Sequence, residues 1–117
     1  MKLSEYAASE NGNTFYHGER LLFPGDGIIH EDWLEVMLCK FSEYGGGYGF
    51  VILSGRKAGR ILTTLPKEAE TPRHEAVSSA WLIENFNEWV YEDTDIQDVY
   101  VLEQPDAAQS PSTENDS

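Results

Sequence analysis

SSAWLIENFNEWVYEDTDIQDVYVLE, residues 78–103, reads as a capped amphipathic helix, an acidic turn and a closing strand, with no Lys or Arg anywhere in it. Ser78 or Ser79 can cap the start, because a hydroxyl there accepts hydrogen bonds from first-turn amides that lack partners within the helix. Trp81, Leu82, Phe86, Trp89 and Val90 recur at three- and four-residue spacings, which gathers them on one face and predicts that Trp81 and Trp89 lie in the core. The other side carries Glu84 and Glu88, and Glu92 continues the series if the helix reaches that far. Like charges four residues apart cost a helix about 0.2–0.5 kcal/mol per pair, so local stability does not explain the acids. Ile96 to Leu102, with Val99, Tyr100 and Val101, is β-rich and predicts a final strand.

Working back from there, Lys67 to Ala76 is a charged connection, and Arg60 to Leu65 (RILTTL) is a strand stopped by Pro66. SGRKAG (54–59) is a turn that follows the apolar run Phe50-Val51-Ile52-Leu53. Asp32 to Glu43 alternates only in part, with Trp33, Val36, Leu38 and Phe41 apolar and Glu35, Lys40 and Ser42 polar. Helix and strand compete there. Two apolar runs joined across Tyr44-Gly-Gly-Gly-Tyr48-Gly favour a hairpin. Thr14-Phe15-Tyr16 and Glu19 to Phe23 are short strands parted by His17-Gly18, and Pro24-Gly25-Asp26-Gly27 is dense turn chemistry. Residues 1–13 read as a loose lead-in or a short frayed helix.

These elements predict an α+β fold: an antiparallel meander of about five or six strands with one principal helix packed on one face. One such domain would occupy residues 1–104. Residues 105–117, PDAAQSPSTENDS after Gln104, hold no aromatic and no aliphatic larger than alanine, and are expected to form a disordered acidic tail.

A chain of 117 residues with 40% apolar content and 14 aromatic rings can build one core. Its net charge is −13, and removing the last 13 residues takes away only Asp106, Glu114 and Asp116, leaving −10 on the body. The acidity therefore belongs to the folded part. Such a surface repels nucleic acid and anionic membranes and attracts basic proteins or cations. The single cysteine, Cys39, excludes an internal disulfide and a cysteine-based zinc site. No signal peptide or membrane-spanning run is evident, so a cytoplasmic protein is expected.

Few motifs for chemistry survive scrutiny. His17, His30 and His74 are too scattered for a metal-binding spacing and read as turn or solvent residues. Cys39 lies within an apolar strand, where a lone thiol is ordinarily a small hydrophobe. The glycine run 45–49 leads into a strand rather than a helix N-terminus and lacks a following Gly-Lys-Ser/Thr, so it reads as a hairpin tip, not a phosphate cradle. Arg56, Lys57 and Arg60 form the only basic cluster. Asp93, Asp95 and Asp98 have part of the spacing of a calcium loop but lack its central Gly and closing Glu. For any one acid, a solvated face is the ordinary account. Collectively, eleven acids and no base between His74 and Ser117 point to a functional acidic face.

VILSGRKAGRILTTLP (51–66), SAWLIENFNEWVY (79–91) and DVYV (98–101) resemble the immunity protein 45 family, small bacterial proteins encoded beside polymorphic or contact-delivered toxins. The similar segments span residues 14–103. The resemblance implies a shared fold and inhibition by binding, with no catalytic residues and no cofactor or metal. It also implies a partner, a cognate toxin domain bound 1:1, with neither nucleic acid nor membrane engaged. Delivered toxins are often nucleases, and nuclease domains tend to be basic, which suits an acidic neutraliser. The expected toxin-binding residues are Glu84, Glu88, Glu92, Asp93, Asp95 and Asp98, with Tyr44, Tyr48 and Tyr91 as aromatic anchors. Two rival readings are an acidic nucleic-acid mimic that inhibits a DNA- or RNA-binding protein, and a metal-assisted hydrolase using the acids of residues 92–98.

Overall fold

The structure, a computed structural model, describes residues 1–10, 12–25, 33–41, 47–73 and 75–102. Its centre is the hairpin expected from the glycine run. β3 (Trp33–Lys40) pairs antiparallel with β4 (Tyr48–Ile52), in a register from Val36↔Ile52 to Lys40↔Tyr48. β3 alternates strictly in burial: Leu34, Val36 and Leu38 point inward, while Trp33, Glu35, Met37 and Cys39 point outward. β2 (Arg20–Pro24) pairs with β3 so that Leu21 faces Val36 and Phe23 faces Leu34. β5 (Ile61–Thr64) lies against β4 with a register shift between Phe50 and Val51. β7 (Tyr100–Leu102) returns to the free edge of β2, giving the antiparallel order β5-β4-β3-β2-β7.

The large sheet is the expected antiparallel meander, and the strand expected at Thr14–Phe15 forms a second, small sheet with one further strand. β1 (Thr14–Phe15) pairs with β6 (Val77–Ser78), so the charged connection after Pro66 ends in a strand. α2 (Ser79–Trp89) follows directly and lays Leu82 and Phe86, both fully buried, on the inner face of the large sheet. Phe86 meets Phe23 of β2 edge-on, with ring centroids 5.2 Å apart and planes at 86°.

Two expectations need correction, and a third point, conditional on the length of α2, is decided. The N-terminal lead-in is integral: α1 (Leu3–Ala8) buries Leu3 completely, and Leu3 N–H donates to Val99 O at 2.8 Å. Val101 N–H in turn donates to Met1 O at 2.7 Å, which blocks the edge of β7. A six-residue helix has no stability of its own in water, so this docking is what holds it. The final strand is also shorter than expected, because Ile96–Asp98 closes as a 3₁₀ turn capped by Asp95, whose carboxylate accepts Gln97 N–H at 2.9 Å. Finally, α2 stops at Trp89, so Glu92 belongs to the loop beyond it. The expected tail, His30, His74 and the first two glycines of the run, Gly45 and Gly46, lie outside the described residues.

Tyr6 of α1 ties the two ends of this layer together. Its ring packs edge-on against Phe15 at 5.9 Å, and its hydroxyl donates to Glu19 Oε1 at 2.8 Å and to Thr14 O at 3.2 Å. Burial, reinforced by the Glu19 carboxylate, pushes the Tyr6 phenol well above its ordinary range. A raised phenol pKa means the fold favours the neutral form. The associated stability is complete below about pH 10, where an unfolded tyrosine begins to ionise, and is lost as pH climbs above that. Tyr6→Phe is expected to lower stability by about 1–2 kcal/mol at pH 8 through the lost hydrogen bond. It should also flatten the decline between pH 8 and pH 11. Urea midpoints at the two pH values measure both, and parallel declines in variant and parent would absolve Tyr6.

Candidate functional site

α2 is set in place by its first residues. Ser78 Oγ accepts Trp81 N–H at 3.2 Å, as expected of an N-cap hydroxyl. The inward stripe of Ser79, Leu82, Phe86 and Val90 is narrow, and it fixes which side chains the helix presents to solvent. Glu84 and Glu88 are exposed. At about 100° per residue, Trp81, Glu84 and Glu88 fall along one strip, with Trp89 at its margin.

The two tryptophans correct a sequence expectation. Trp89 is 37% exposed, and Trp81 is only partly buried; their rings lie 6.1 Å apart, tilted at 49°. Spacing alone placed both in the core. Trp89 instead sits at the last helical residue, to one side of the buried stripe, with Trp81 beside it.

The loop after α2 is held from three directions. Asn87 Nδ2 donates to the carbonyls of Tyr91, Glu92 and Thr94. Thr94, 4% exposed, donates through Oγ1 to Pro24 O at 2.8 Å and so anchors the loop to β2. Asp95 caps the 3₁₀ turn. Glu92, Asp93, Asp95 and Asp98 are all exposed on this pinned backbone.

None of these six acids pairs with a Lys or Arg among the described residues; the ion pair present there joins Arg20 and Glu35 at 2.8 Å. α2 has no base in its last turn, so the acids crowd the end where the helix dipole is negative. Each such placement costs roughly 0.3–1 kcal/mol relative to a favourable charge. The loop and helix therefore present unneutralised charge at the expense of local stability.

The tyrosines fare differently. Tyr48 shares the inward register of Phe50 and Ile52 and is 2% exposed, so it is a core residue and cannot anchor a partner as expected. Burial pushes its phenol up, with Glu70 and Glu75 adding to the effect. Tyr91 is half-buried, its ring 5.3 Å from that of Phe23. It also borders a cavity of about 380 Å³ floored by Leu34, Ile52 and Leu62, with Lys57 and Arg60 at the rim. Tyr44 lies outside the described residues.

Elsewhere, Cys39 is half-buried on the outward side of β3, and burial raises its thiol pKa, which disfavours the nucleophilic thiolate. His17 Nδ1 accepts Lys40 N–H at 2.9 Å, a turn role. Among the described residues no three His, Cys, Asp or Glu side chains converge into a group able to hold a metal ion, Asp93, Asp95 and Asp98 included. No helix among them is long and apolar enough to cross a membrane.

Residues 14–101 match the family model described as immunity protein 45. No curated protein and no solved structure matches the chain.

Proposed function

Because the chain belongs to the immunity protein 45 family, we propose that it neutralises a cognate bacterial toxin domain by docking the outer side of α2 and the loop after it over a basic surface of that domain. Family membership makes it an immunity protein with a toxin as its partner. One observation carries the choice of face: six exposed carboxylates, none paired with a Lys or Arg among the described residues, flank a partly exposed tryptophan pair. A neutraliser has to reach its target before damage is done. A concentrated field of opposite sign speeds encounter, towards roughly 10⁸–10⁹ M⁻¹s⁻¹ at low salt. Affinity then depends on desolvated aromatic anchors, and Trp89 with Trp81 replaces Tyr48 in that role. Bound across an active site rich in Lys and Arg, such a face would exclude a polyanionic substrate.

The test is association kinetics with the product of the neighbouring toxin gene. Glu84→Lys with Glu88→Lys is expected to slow association about tenfold or more at low salt and to weaken its salt dependence, because steering scales with the field at encounter. Both side chains are exposed, so the fold should be unaffected. An association rate equal to that of the parent would exclude this face.

A further inference from the structure

The large sheet has a second face, and it too is apolar. Leu22 on β2, Met37 on β3, Val51 on β4 and Tyr100 on β7 alternate with core residues and so project away from α2, each only partly buried. Trp33 joins them at 46% exposure, its ring 6.4 Å from that of Tyr100 across β2. A sheet that meets water on one side ordinarily alternates apolar-in with polar-out. This one does not: of the outward positions in β2, β3, β4 and β7, only Arg20 and Glu35 are charged, and they neutralise each other at 2.8 Å with side chains 27% exposed apiece.

We propose that this outward face is a self-association surface, joining two copies of the chain sheet to sheet about a twofold axis. Charge selects the occupant. On a chain of net charge −13, most surfaces repel a second copy, and the α2 side with its unpaired acids does so most strongly. Among the described residues, the outward positions of β2, β3, β4 and β7 carry no net charge, so this face can meet itself without that penalty. A twofold interface apposes one patch with the same patch, which a neutral apolar surface satisfies and a one-sided acidic surface does not. A basic toxin domain, by contrast, is drawn to the opposite layer. Size is adequate for a reversible contact. With strands about 4.8 Å apart and about 3.3 Å of rise per residue, five short strands offer roughly 400–600 Å² per partner. That places the pair at the low end of specific interfaces, and a micromolar dissociation constant is the order expected.

Sedimentation of the full chain from about 1 to 100 μM tests this, a range chosen to bracket micromolar affinity. A monomer–dimer equilibrium is expected, and added salt should preserve or tighten it as the net negative charge is screened. Met37→Lys with Val51→Lys would bury unpaired charges between the sheets and should weaken self-association at least about a hundredfold. Far-ultraviolet circular dichroism and the thermal midpoint serve as controls that the fold survives at these half-exposed positions. Glu84→Lys with Glu88→Lys should leave the dimer in place, which separates this surface from the acidic one. A full chain that stays monomeric at 100 μM, or a dimer indifferent to the Met37 and Val51 charges, overturns the proposal. So does a monomer in which those two substitutions instead cut affinity for the toxin domain, since the face would then be the toxin's.

Discussion

Phe86→Ala is expected to destabilise the protein by about 3–5 kcal/mol, the range for deleting a buried aromatic ring and leaving its cavity. Phe86 is fully buried at the centre of the contact between α2 and the sheet, set edge-on to Phe23 at 5.2 Å. Few neighbours can collapse into the space. Phe23 is pinned by its ladder position opposite Leu34, and Leu82 is one turn away on the same rigid helix. Folded domains of this size are stable by only about 5–15 kcal/mol, so the loss is a large fraction of the total. Urea unfolding should show a lower midpoint with an unchanged slope. Tyr91 shares Phe23 with Phe86, its ring 5.3 Å away, so the loop carrying Glu92 and Asp93 should loosen too. Hydrogen exchange would read that as faster exchange of the amides after Trp89. A change below about 1 kcal/mol, the scale of surface substitutions, would mean that α2 does not dock through this residue.

The elements that position the candidate site were legible where a single physical cause acts locally. Ser78 caps α2 because a hydroxyl at that position has one obvious partner, and the glycine run joins two apolar strands because little else can. The competition between helix and strand over Asp32–Glu43 has a structural source. β3 is apolar on both sides, Leu34, Val36 and Leu38 inward and Trp33, Met37 and Cys39 outward, so its period-two signal is blurred. What failed to show were contacts made at a distance. A lone Leu3 in a polar stretch has no periodicity to announce it, yet the core takes it in, held by its own N–H bond to Val99 O and by the bond that Met1 O accepts from Val101 N–H. Tyr48 looked like the tip of a turn, but strand register decides its direction, and register is set by pairing with Lys40. Gly49 beside it is likewise dictated from afar: a Cβ there would fall 2.6 Å from the Phe41 ring and 2.5 Å from Thr63 O. The acids of 84–98 were readable as a one-sided run, whereas the tryptophans beside them were not, because helical spacing fixes an angle and not the extent of the sheet beneath it.

Trp89→Ala is expected to weaken the complex with the toxin domain by about 2–4 kcal/mol, roughly 30- to 1,000-fold, through faster dissociation. The expectation rests on the proposed docking face. Carboxylates at the rim of an interface mostly govern approach, whereas residence depends on side chains that lose their water on contact. Trp89 is the large apolar side chain of α2 with the most surface to lose, and Trp81 at 6.1 Å supports its ring from one side, which limits the entropy lost on binding. In the free protein the substitution should cost only about 1 kcal/mol, since Trp89 as a residue is already more than a third exposed and Leu82 and Phe86 hold the helix without it. Glu84→Lys with Glu88→Lys makes the opposite signature, a slower approach with a smaller change in residence. Measured side by side at two salt concentrations, the two variants should therefore separate: the Trp89 effect persists at high salt, and the glutamate effect shrinks as charges are screened. A Trp89 variant that dissociates at the parental rate would move the anchor off α2, even with the steering role of the acids intact.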